Sequence, residues 1–378
     1  MRIRFWQHVD YMLLALVAGL ALYGVVMVHS ATCSPSCDRW IGSTGLGPRQ
    51  LLYVAAGSAL MVLAATINHR LYRTFAYLGY LASLGLLGLV LVVGRGDAEL
   101  GVRRWIPLGF VDFQPSEVAK VLFVIALARL LSDRQGNLSF RRIVLSVGLL
   151  LPEAGLVYLQ PDLGTTLSFA VIWLGMVVVA GIRPLHLGFL ALGAAIALPA
   201  SWFVLRDYQK HRLETFLTTL TNPEADPFGE GYNIIQSRIS IGSGGMFGRG
   251  WLQGTQTQLD YLRVKQSDFI FSVVAEEMGF IGTALLMLLF ILLLFRVVRA
   301  AERSRDEFAR LTCFGVASML LFQSVVNMAA NLTLIPVTGV PLPLVSFGGS
   351  AMVAFFAAFG IVQGIAIRSA RRSLSWIG

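Results

Sequence analysis

The sequence predicts an all-α polytopic membrane protein with ten transmembrane helices and a large extracytoplasmic loop between helices 7 and 8. Hydrophobic residues make up 56% of the 378 residues and charged residues only 13%, whereas soluble domains carry about a quarter charged residues. The apolar residues also form continuous runs instead of alternating with polar ones. Since hydrocarbon accepts only backbones whose polar groups are paired internally, continuous runs favour membrane helices over a β-barrel.

Ten apolar runs each approach the roughly 20 residues that a helix needs to cross a bilayer. They lie at 11–28, 51–67, 74–93, 116–131, 143–159, 163–181, 187–204, 269–295, 311–334 and 349–367. No small-residue cleavage site follows the first run, so we interpret it as a retained helix. No internal repeat divides the chain, and we expect one membrane domain over residues 1–378.

Arginine and lysine set the predicted orientation. They concentrate in short segments on alternate sides of the spans, among them MRIR, NHRLYR, RVVRAAERSRDEFAR and the C-terminal RSARRSLSWIG. Short basic segments stay in the cytoplasm, whereas long loops are exempt from this rule. The pattern predicts that both termini are cytoplasmic and that the hydrophilic loop 206–268 is extracytoplasmic. The net charge of +9 then belongs mainly to cytoplasmic turns and gives no reason to expect nucleic acid.

The three cysteines do not predict a metal site. Cys33 and Cys37 lie in the short segment CSPSC without a nearby histidine or second cysteine pair, which disfavours zinc. A local disulfide and two unpaired thiols are both compatible with this segment. Cys313 lies in an apolar run and is expected to pack in the core.

Charged residues within spans are candidates for function, because burying them is costly. Glu117 and Lys120 are three residues apart and so share one helix face, where they can pair. The pair could simply join two helices, but we favour a polar cavity that opens outward, because Pro115 and Glu117 mark the outer start of that helix. For Glu153, which follows Pro152, we expect a helix kink and a locally satisfied carboxyl group.

Two aspartates lie where predicted spans begin. Asp162, in QPDLGTT, and Asp268, before FIFSVVAEEMGFIG, could each cap the helix that follows or serve a site. Capping alone would not explain the polar residues that converge on Asp268. Glu276 and Glu277 lie deeper in the same span, and at least one of them should face protein or water.

The hydrophilic loop contains the glycine-rich segment GSGGMFGRG, from Gly242 to Gly250. No strand precedes it and no Gly-Lys-Ser or Gly-Lys-Thr follows, so it does not fit a nucleotide-binding loop. We expect a tight turn whose amides, with Arg238 and Arg249, could hold phosphate oxygens. Basic residues of this face form an expected anion-attracting rim or contact lipid headgroups; they are Arg103, Arg104, Arg206, Lys210, Arg212, Arg238, Arg249, Arg263 and Lys265.

Five motifs in this order resemble the SEDS (shape, elongation, division, sporulation) family. They are GVRRWIPLGFVDFQPSEVAK, QPDLGTT, NPEADPFGEGYNIIQSRISIGSGGMFGRGWLQGTQ, SDFIFSVVAEEMGFIG and PVTGVPLPLVSFGGS. They extend over nearly the whole chain, and GEGYNIIQS and GTQ favour the RodA branch. The chain departs from the family at Gln266, where relatives usually have histidine, and in NMAANLTLIP, which lacks the usual glycines.

The resemblance implies a peptidoglycan glycosyltransferase of the bacterial plasma membrane that polymerises lipid II during cell elongation and releases undecaprenyl pyrophosphate. It also implies a partner, a class B penicillin-binding protein transpeptidase. The family's essential carboxylate falls on Asp268, and its Gln-Pro-Ser-Glu-x-x-Lys motif places Glu117 and Lys120 in the site.

The chemistry of glycan polymerisation gives these residues their expected roles. A base must accept the proton of the attacking hydroxyl, and positive charge must stabilise the departing pyrophosphate. We predict Asp268 as the general base and arginines of the outer face as the stabilising groups. The supporting or substrate-binding candidates are Glu117, Lys120, Asp162, Arg103, Arg212, Ser237, Arg238, Ser243, Arg249 and Ser346. A divalent cation, Mg²⁺ or Mn²⁺, between Asp268 and the pyrophosphate stays open, since no ligand spacing supports it.

Two other functions fit parts of the sequence. A flippase or transporter of lipid-linked precursors could use the intramembrane charges Glu117, Lys120, Glu153, Glu276 and Glu277 as a path. The concentration of polar groups at the predicted outer face argues against this, because a transporter needs a site near the midplane. A structural scaffold for a cell-wall partner would tolerate loss of Asp268.

Overall fold

The structure, a computed structural model, describes residues 8–33, 45–96, 103–109, 112–133, 138–203, 205, 207–222 and 231–374. Within these residues the chain is almost entirely helical. The helices are α1 (Tyr11–Thr32), α2 (Leu46–Thr66), α3 (His69–Val93), α4 (Pro115–Ser132), α5 (Phe140–Leu159), α6 (Leu163–Val179), α7 (Pro184–Ser201), α8 (Asp207–Thr221), α9 (Tyr232–Gly244), α10 (Thr255–Gln258), α11 (Ile270–Glu302), α12 (Glu307–Asn331) and α13 (Gly349–Leu374). Strands β1 (Ile106–Pro107) and β2 (Asp112–Phe113) form an antiparallel hairpin with Ile106 opposite Phe113.

The predicted all-α membrane class is confirmed. In the described part of the chain, seven helices are long and apolar enough to cross a membrane, namely α1, α2, α3, α5, α11, α12 and α13. Helix α6 and the first part of α7 are apolar but shorter. Helix α4 has 18 residues and carries three charged side chains. The count of ten spans therefore stays a prediction.

Both neighbouring helices and helices far apart in sequence form the core of the bundle. The most extensive contacts join α2 to α13, α3 to α4, and α11 to both α9 and α12. Between them lies one continuous cluster of buried apolar side chains, including Phe123, Phe169, Phe308, Phe355 and Phe359. This cluster fixes the ends of α4, α6, α11 and α13, where the polar residues lie.

The hydrophilic loop 206–268 is richer in helix than its composition suggests, since α8, α9 and α10 all lie within it. Helix α9 is held by packing: it buries Ile234, Ser237, Ser240 and Gly244 and contacts α11. A Cβ atom added at Gly244 would lie 1.9 Å from the carbonyl oxygen of Ala275. The absence of a side chain therefore allows the close contact between α9 and α11.

The glycine segment completes a break in α11. Gly279 has φ 65° and ψ −165°, so the helix is interrupted there. The amide of Arg249 donates to the carbonyl of Glu276 at 2.9 Å, and the amide of Phe280 donates to the carbonyl of Gly245 at 2.8 Å. Bonds to the glycine segment thus replace those that the helix loses at its kink, as burial of backbone polar groups requires.

These bonds and two others argue against the expectation that the amides of the glycine segment hold phosphate, because three of those amides already have partners within the protein. The amide of Gly248 donates to Gly244 at 2.8 Å and that of Gly250 to Glu277 at 3.0 Å, while the amide of Arg249 is bonded at the kink. A Cβ atom at Gly248, where φ is 81°, would lie 2.1 Å from the Glu277 carbonyl oxygen. Close backbone packing, not anion binding, accounts for this glycine.

Both glutamates in the first half of α11 face protein, as expected for at least one. Glu276 is fully buried and accepts hydrogen bonds from the amides of Gln256 (2.7 Å) and Thr257 (3.1 Å) and from the Thr257 hydroxyl (2.7 Å). Its negative charge therefore lies at the start of α10, a favourable position. Glu277 accepts from the hydroxyl of Ser30 through both oxygens, at 2.6 and 2.7 Å.

The expectation of a locally satisfied carboxyl group at Glu153 is half right. The fully buried side chain bonds the hydroxyl of Ser83 through Oε1. Its other oxygen, Oε2, has no hydrogen-bond partner within the described part of the chain. Pro152 lies inside the continuous helix α5.

The cysteines behave differently from one another. Cys33 is disulfide-bonded, whereas Cys37 lies outside the described residues. Cys313 is a free thiol buried in α12, as its apolar surroundings predict.

Candidate active site

A polar cavity of about 300 Å³ lies at one end of the bundle. Four helices begin at this cavity: α4, α6, α11 and α13. Its lining comprises Arg49, Tyr53, Arg104, Trp105, Asp112, Gln114, Glu117, Asp162, Thr165, Gln266, Ser267, Asp268, Gly339, Pro341, Phe347, Gly348, Gly349, Ser350 and Ala351. Three of the predicted site residues, Glu117, Asp162 and Asp268, thus come together from distant parts of the chain.

The four helix starts make the cavity favourable for anions. Each helix carries the equivalent of roughly half a positive charge at its N-terminus, and such termini are common phosphate sites. The cavity also receives Arg49 from the first turn of α2 and Arg104 from the segment before β1. Positive potential from backbone and side chains therefore surrounds the carboxylates.

Asp268 does not cap α11. The N-cap residue is Phe269, which makes no side-chain capping bond. The backbone carbonyl of Asp268 accepts hydrogen bonds from the side-chain amides of Asn327 (3.1 Å) and Asn331 (2.8 Å). The Asp268 carboxylate is partly exposed and lines the cavity. Its backbone is therefore fixed while its side chain stays available.

Asn331 is the centre of the network that holds Asp268. Its oxygen Oδ1 accepts from the amide of Ser272 at 3.1 Å and from the Ser272 hydroxyl at 2.6 Å. Ser237 donates to the carbonyl of Asn331 at 2.8 Å and lies 2.7 Å, oxygen to oxygen, from the Ser272 hydroxyl. Ser237, a predicted site residue, is thus a buried support behind Asp268 that does not line the cavity.

The loop before Asp268 is held by the segment that precedes α13. The amide of Phe347 donates to the carbonyl of Gln266 at 2.8 Å. The hydroxyl of Ser346 donates to the carbonyl of Ser267 at 2.6 Å and accepts from the amide of Leu342 at 2.8 Å. Ser346 therefore positions this loop. Gln266 lines the cavity beside Asp268.

Burial raises the pKa of the Asp268 carboxyl group, and the negative charge of Asp162 raises it further. The hydrogen bond from the Ser267 hydroxyl (3.1 Å) and the positive charges of Arg212 and Arg104 oppose this shift. Arg212 is exposed on α8 and acts on Asp268 through its charge. A carboxylate with a raised pKa is a better proton acceptor, which is what a general base requires.

Glu117 and Lys120 form a buried ion pair. The Lys120 Nζ atom lies 2.8 Å from Glu117 Oε1, and the side chains are only 1% and 2% exposed, respectively. Glu117 Oε2 has no hydrogen-bond partner among the described residues, and Glu117 lines the cavity. The pair could be a buried ion pair between helices or part of a polar cavity, and the two interpretations are compatible. Both side chains are buried, and Glu117 also lines the cavity.

Asp162 both caps a helix and faces the cavity. Its carboxylate accepts from the amide (3.1 Å) and the hydroxyl (3.0 Å) of Thr165 at the start of α6. Arg104 lies 3.9 Å from the same carboxylate and is itself fixed by the carbonyl of Gln160 at 3.1 Å. The two sequence interpretations of Asp162 are therefore compatible.

Four other predicted site residues lie away from the cavity lining. Arg103 donates to the carbonyls of Leu91 (3.1 Å) and Val92 (3.3 Å) at the end of α3. Ser243 donates to the carbonyl of Ser240 at 3.0 Å. Arg238 on α9 and Arg249 in the glycine segment are exposed and do not line the cavity.

The expected cationic rim is only partly available. Lys265 is paired with Asp260. Arg263 lies over the ring of Tyr232, and its Cζ atom is 5.3 Å from the ring centroid. Lys210 lies over Trp202 at 6.0 Å, and Arg206 falls outside the described residues. Arg49, Arg104 and Arg212 are the arginines that the structure associates with the cavity or with Asp268.

Sequence reasoning missed Arg49 as a lining residue and the two asparagines as anchors. Arg49 had a signal, because a basic residue at the predicted outer end of a span departs from the usual charge bias. Asn327 and Asn331 had another, since two amides four residues apart share one face of an apolar helix.

The described residues do not form a protein-only metal site. No group of three or more histidine, cysteine, aspartate and glutamate side chains among them is arranged to hold an ion. Asp162 and Glu117 are already engaged with Arg104 and Lys120.

Comparisons with known proteins agree over nearly the whole chain. The profile of the family FTSW_RODA_SPOVE, described as cell cycle protein, matches residues 10–371. The peptidoglycan glycosyltransferase MrdB of Escherichia coli K12 is 37% identical over 364 residues, covering 96% of this chain and 95% of that protein. A chain from a structure on the coordination of polymerization and crosslinking by a peptidoglycan synthase complex has 35% identity and a TM-score of 0.78, covering 95% of this chain and 97% of its own. The rod shape determining protein RodA of Thermus thermophilus has 33% identity and a TM-score of 0.69, covering 95% and 96%.

Proposed function

Because this chain belongs to the FtsW, RodA and SpoVE family and is a multi-pass membrane peptidoglycan glycosyltransferase, we propose that it polymerises lipid II at the cavity around Asp268. The observation that carries this proposal is the geometry of Asp268. Its backbone is fixed by Asn327 and Asn331, while its carboxylate opens into a polar cavity where four helices begin.

Asp268 acts as the general base in this proposal. Its carboxylate accepts the proton of the acceptor sugar hydroxyl, whose oxygen then forms the new bond to the anomeric carbon of the donor. The bond from that carbon to the pyrophosphate oxygen breaks, and undecaprenyl pyrophosphate leaves with the electron pair. A single displacement of this kind inverts the anomeric centre and needs no second catalytic carboxylate, because pyrophosphate departs without strong acid catalysis.

The positive groups of the cavity stabilise the departing pyrophosphate. Arg104 and Arg49 line the same space as Asp268, and the charge of Arg212 reaches its carboxylate. The starts of four helices add fixed dipoles whose positive ends need no rearrangement during the reaction. Glu117 and Lys120 serve as a positioning pair beside the base. We assign Arg103, Arg238 and Arg249 no contact with the reacting groups.

We assign no step of this mechanism to a metal ion, because the described carboxylates are not grouped in a way that could hold one. A requirement for Mg²⁺ or Mn²⁺ stays a prediction. Rates of lipid II polymerisation before and after chelation, and after either ion is restored, test it.

Partner and orientation follow from the family and from the charge pattern. The similar peptidoglycan synthase complex supports a crosslinking partner for this chain, which we propose is a class B penicillin-binding protein. The basic segments support cytoplasmic termini and an extracytoplasmic active site.

The flippase alternative loses support, since Glu276 and Glu277 are both engaged in structural hydrogen bonds.

Asp268→Ala tests the proposed base. Purified protein, together with its crosslinking partner, is given lipid II and the glycan products are separated by length. We expect no glycan strands from Asp268→Ala and normal strands from Asp207→Asn, a control that removes an exposed carboxylate on α8. Wild-type chain growth by folded Asp268→Ala would refute the assignment. Translocated lipid II without glycan would favour the flippase.

A further inference from the structure

Two adjoining cavities lie at the other end of α11 and α13 from Asp268. The larger, of about 500 Å³, is polar and lies between the ends of α1, α11 and α13. The smaller, of about 200 Å³, is an apolar groove between α1, α2 and α13. Val9 lines both, and the neighbours Ala366 and Ile367 on α13 line the polar cavity and the groove, respectively. The two spaces are therefore next to each other along α13.

The polar cavity carries a net positive charge. Arg296, Arg299 and Arg303 line it at spacings of three and four residues, so they share one face of α11. Arg296 pairs with Asp10, whose other oxygen accepts from the amide of Leu13 at 3.0 Å. No side-chain ion pair or hydrogen bond within the described part of the chain involves Arg299 or Arg303. One aspartate thus faces three arginines, and the cavity suits an anion.

Two polar side chains, Ser58 and Gln363, line the apolar groove. Leu14, Val17, Met61 and Phe356 give it a hydrocarbon lining. Gln363 also lines it, is only 3% exposed, and has no hydrogen-bond partner for either side-chain amide atom among the described residues. A buried amide without a partner is unfavourable, so its place in the groove calls for a polar atom on whatever occupies the groove.

We propose that the two cavities together bind one anionic phospholipid. Its phosphate lies between Arg299 and Arg303, an ester oxygen accepts from the Gln363 amide, and part of one acyl chain fills the groove. The arginines, the Gln363 amide and the apolar groove match the phosphate, the ester groups and the acyl chain of such a lipid, respectively. A free phosphate would leave the groove and Gln363 unused, whereas an uncharged lipid would leave the arginines unpaired. On the predicted orientation this lipid belongs to the cytoplasmic leaflet, where anionic headgroups meet basic residues.

Native mass spectrometry of the delipidated full-length protein tests the site. We expect phosphatidylglycerol to bind at least ten-fold more tightly than phosphatidylcholine. The pair Arg299→Ala/Arg303→Ala should weaken phosphatidylglycerol binding at least ten-fold, and Gln363→Leu should weaken it several-fold by removing the donor. If the alanine pair fails to fold, as judged by its melting curve, Arg299→Gln/Arg303→Gln provides the same test.

The control pair Arg70→Ala/Arg141→Ala removes two exposed arginines from the same predicted face, outside both cavities. It should leave the binding of phosphatidylglycerol unchanged. Equal weakening by the control pair would reduce the effect to general surface charge and overturn the proposal. Equal binding of phosphatidylcholine, or competition by free glycerol 3-phosphate, would also overturn it. Undecaprenyl phosphate displacing phosphatidylglycerol at a lower concentration would assign the site to an isoprenoid lipid instead.

Discussion

Replacing Asn331 by leucine should damage both stability and catalysis, although Asn331 does not line the cavity. The side chain is fully buried, donates to the Asp268 carbonyl at 2.8 Å and accepts from the Ser272 amide at 3.1 Å. Leucine removes the acceptor that Asn331 offers to the amide and hydroxyl of Ser272, although the amide keeps its bond to the Phe269 carbonyl at 3.0 Å. It also removes one of the two donors to the Asp268 carbonyl. Each lost hydrogen bond costs about 0.5–1.5 kcal/mol, so the loss of the three bonds that Asn331 makes to Ser272 and Asp268 should cost roughly 1.5–4.5 kcal/mol.

The catalytic effect follows from the position of Asp268. A misplacement of about 1 Å can cost a hundred-fold in rate, so kcat for lipid II polymerisation should fall about 10- to 100-fold in Asn331→Leu. Gln323→Leu is the matched control. Gln323 lies on the same helix, is equally buried and has no partner for its amide among the described residues. Its replacement should leave the melting temperature unchanged or raised and the rate unchanged.

Melting curves in detergent and initial rates on lipid II measure both quantities for the two variants. Wild-type melting and rate in Asn331→Leu would refute the anchoring role. If Gln323→Leu lowered the melting temperature and the rate equally, α12 would be sensitive to leucine at either position. The contact between Asn331 and Asp268 would then not be the cause of the effects of Asn331→Leu.

Three further predictions concern the base, the glycine segment and the ion pair. Because burial raises the pKa of Asp268, the rate of polymerisation should fall as pH drops through a value above the ordinary aspartate pKa of about 3.9; a kcat/KM profile limited only below pH 4 would contradict this. Gly248→Ala should destabilise the protein by roughly 1–3 kcal/mol because of its positive φ alone, and by more because the new methyl group would collide with α11. Gly242 has open space around it, so Gly242→Ala should leave the melting temperature unchanged or raise it. Lys120→Met should destabilise the protein by about 3–5 kcal/mol, because it leaves Glu117 buried without its partner. Adding Glu117→Gln should restore most of the melting temperature but not the rate of polymerisation. Independent effects of the two changes would show that the residues do not act as a pair.

The sequence was sufficient for the elements that depend on local pattern. Long apolar runs placed the membrane helices, and Pro115 with Glu117 in the first turn placed the start of α4. Asp162 and Asp268 were recognisable as carboxylates at helix starts. Which of them caps was not, because an aspartate before a helix has the same sequence signature whether its side chain turns back to the amides or outward.

The remaining features depend on contacts between distant segments. The glycine segment looked like an anion-binding turn until the break at Gly279 supplied the carbonyl and amide groups that it bonds. Helix α9 lies in a hydrophilic stretch and is held by packing on α11. Arg104 and Arg103 are adjacent in sequence, yet only Arg104 lines the cavity. Local composition does not distinguish such neighbours, because the backbone conformation at each residue decides where its side chain points.

Asp268→Asn tests the central claim most directly. Asparagine keeps the size of the side chain and removes its ability to accept a proton, and it relieves the cost of a partly buried charge. We therefore expect a melting temperature at or above that of the wild type, with the rate of lipid II polymerisation lowered by about 10²- to 10⁴-fold, the contribution typical of a general base. Glycan strands formed at the wild-type rate by this folded variant would contradict the account.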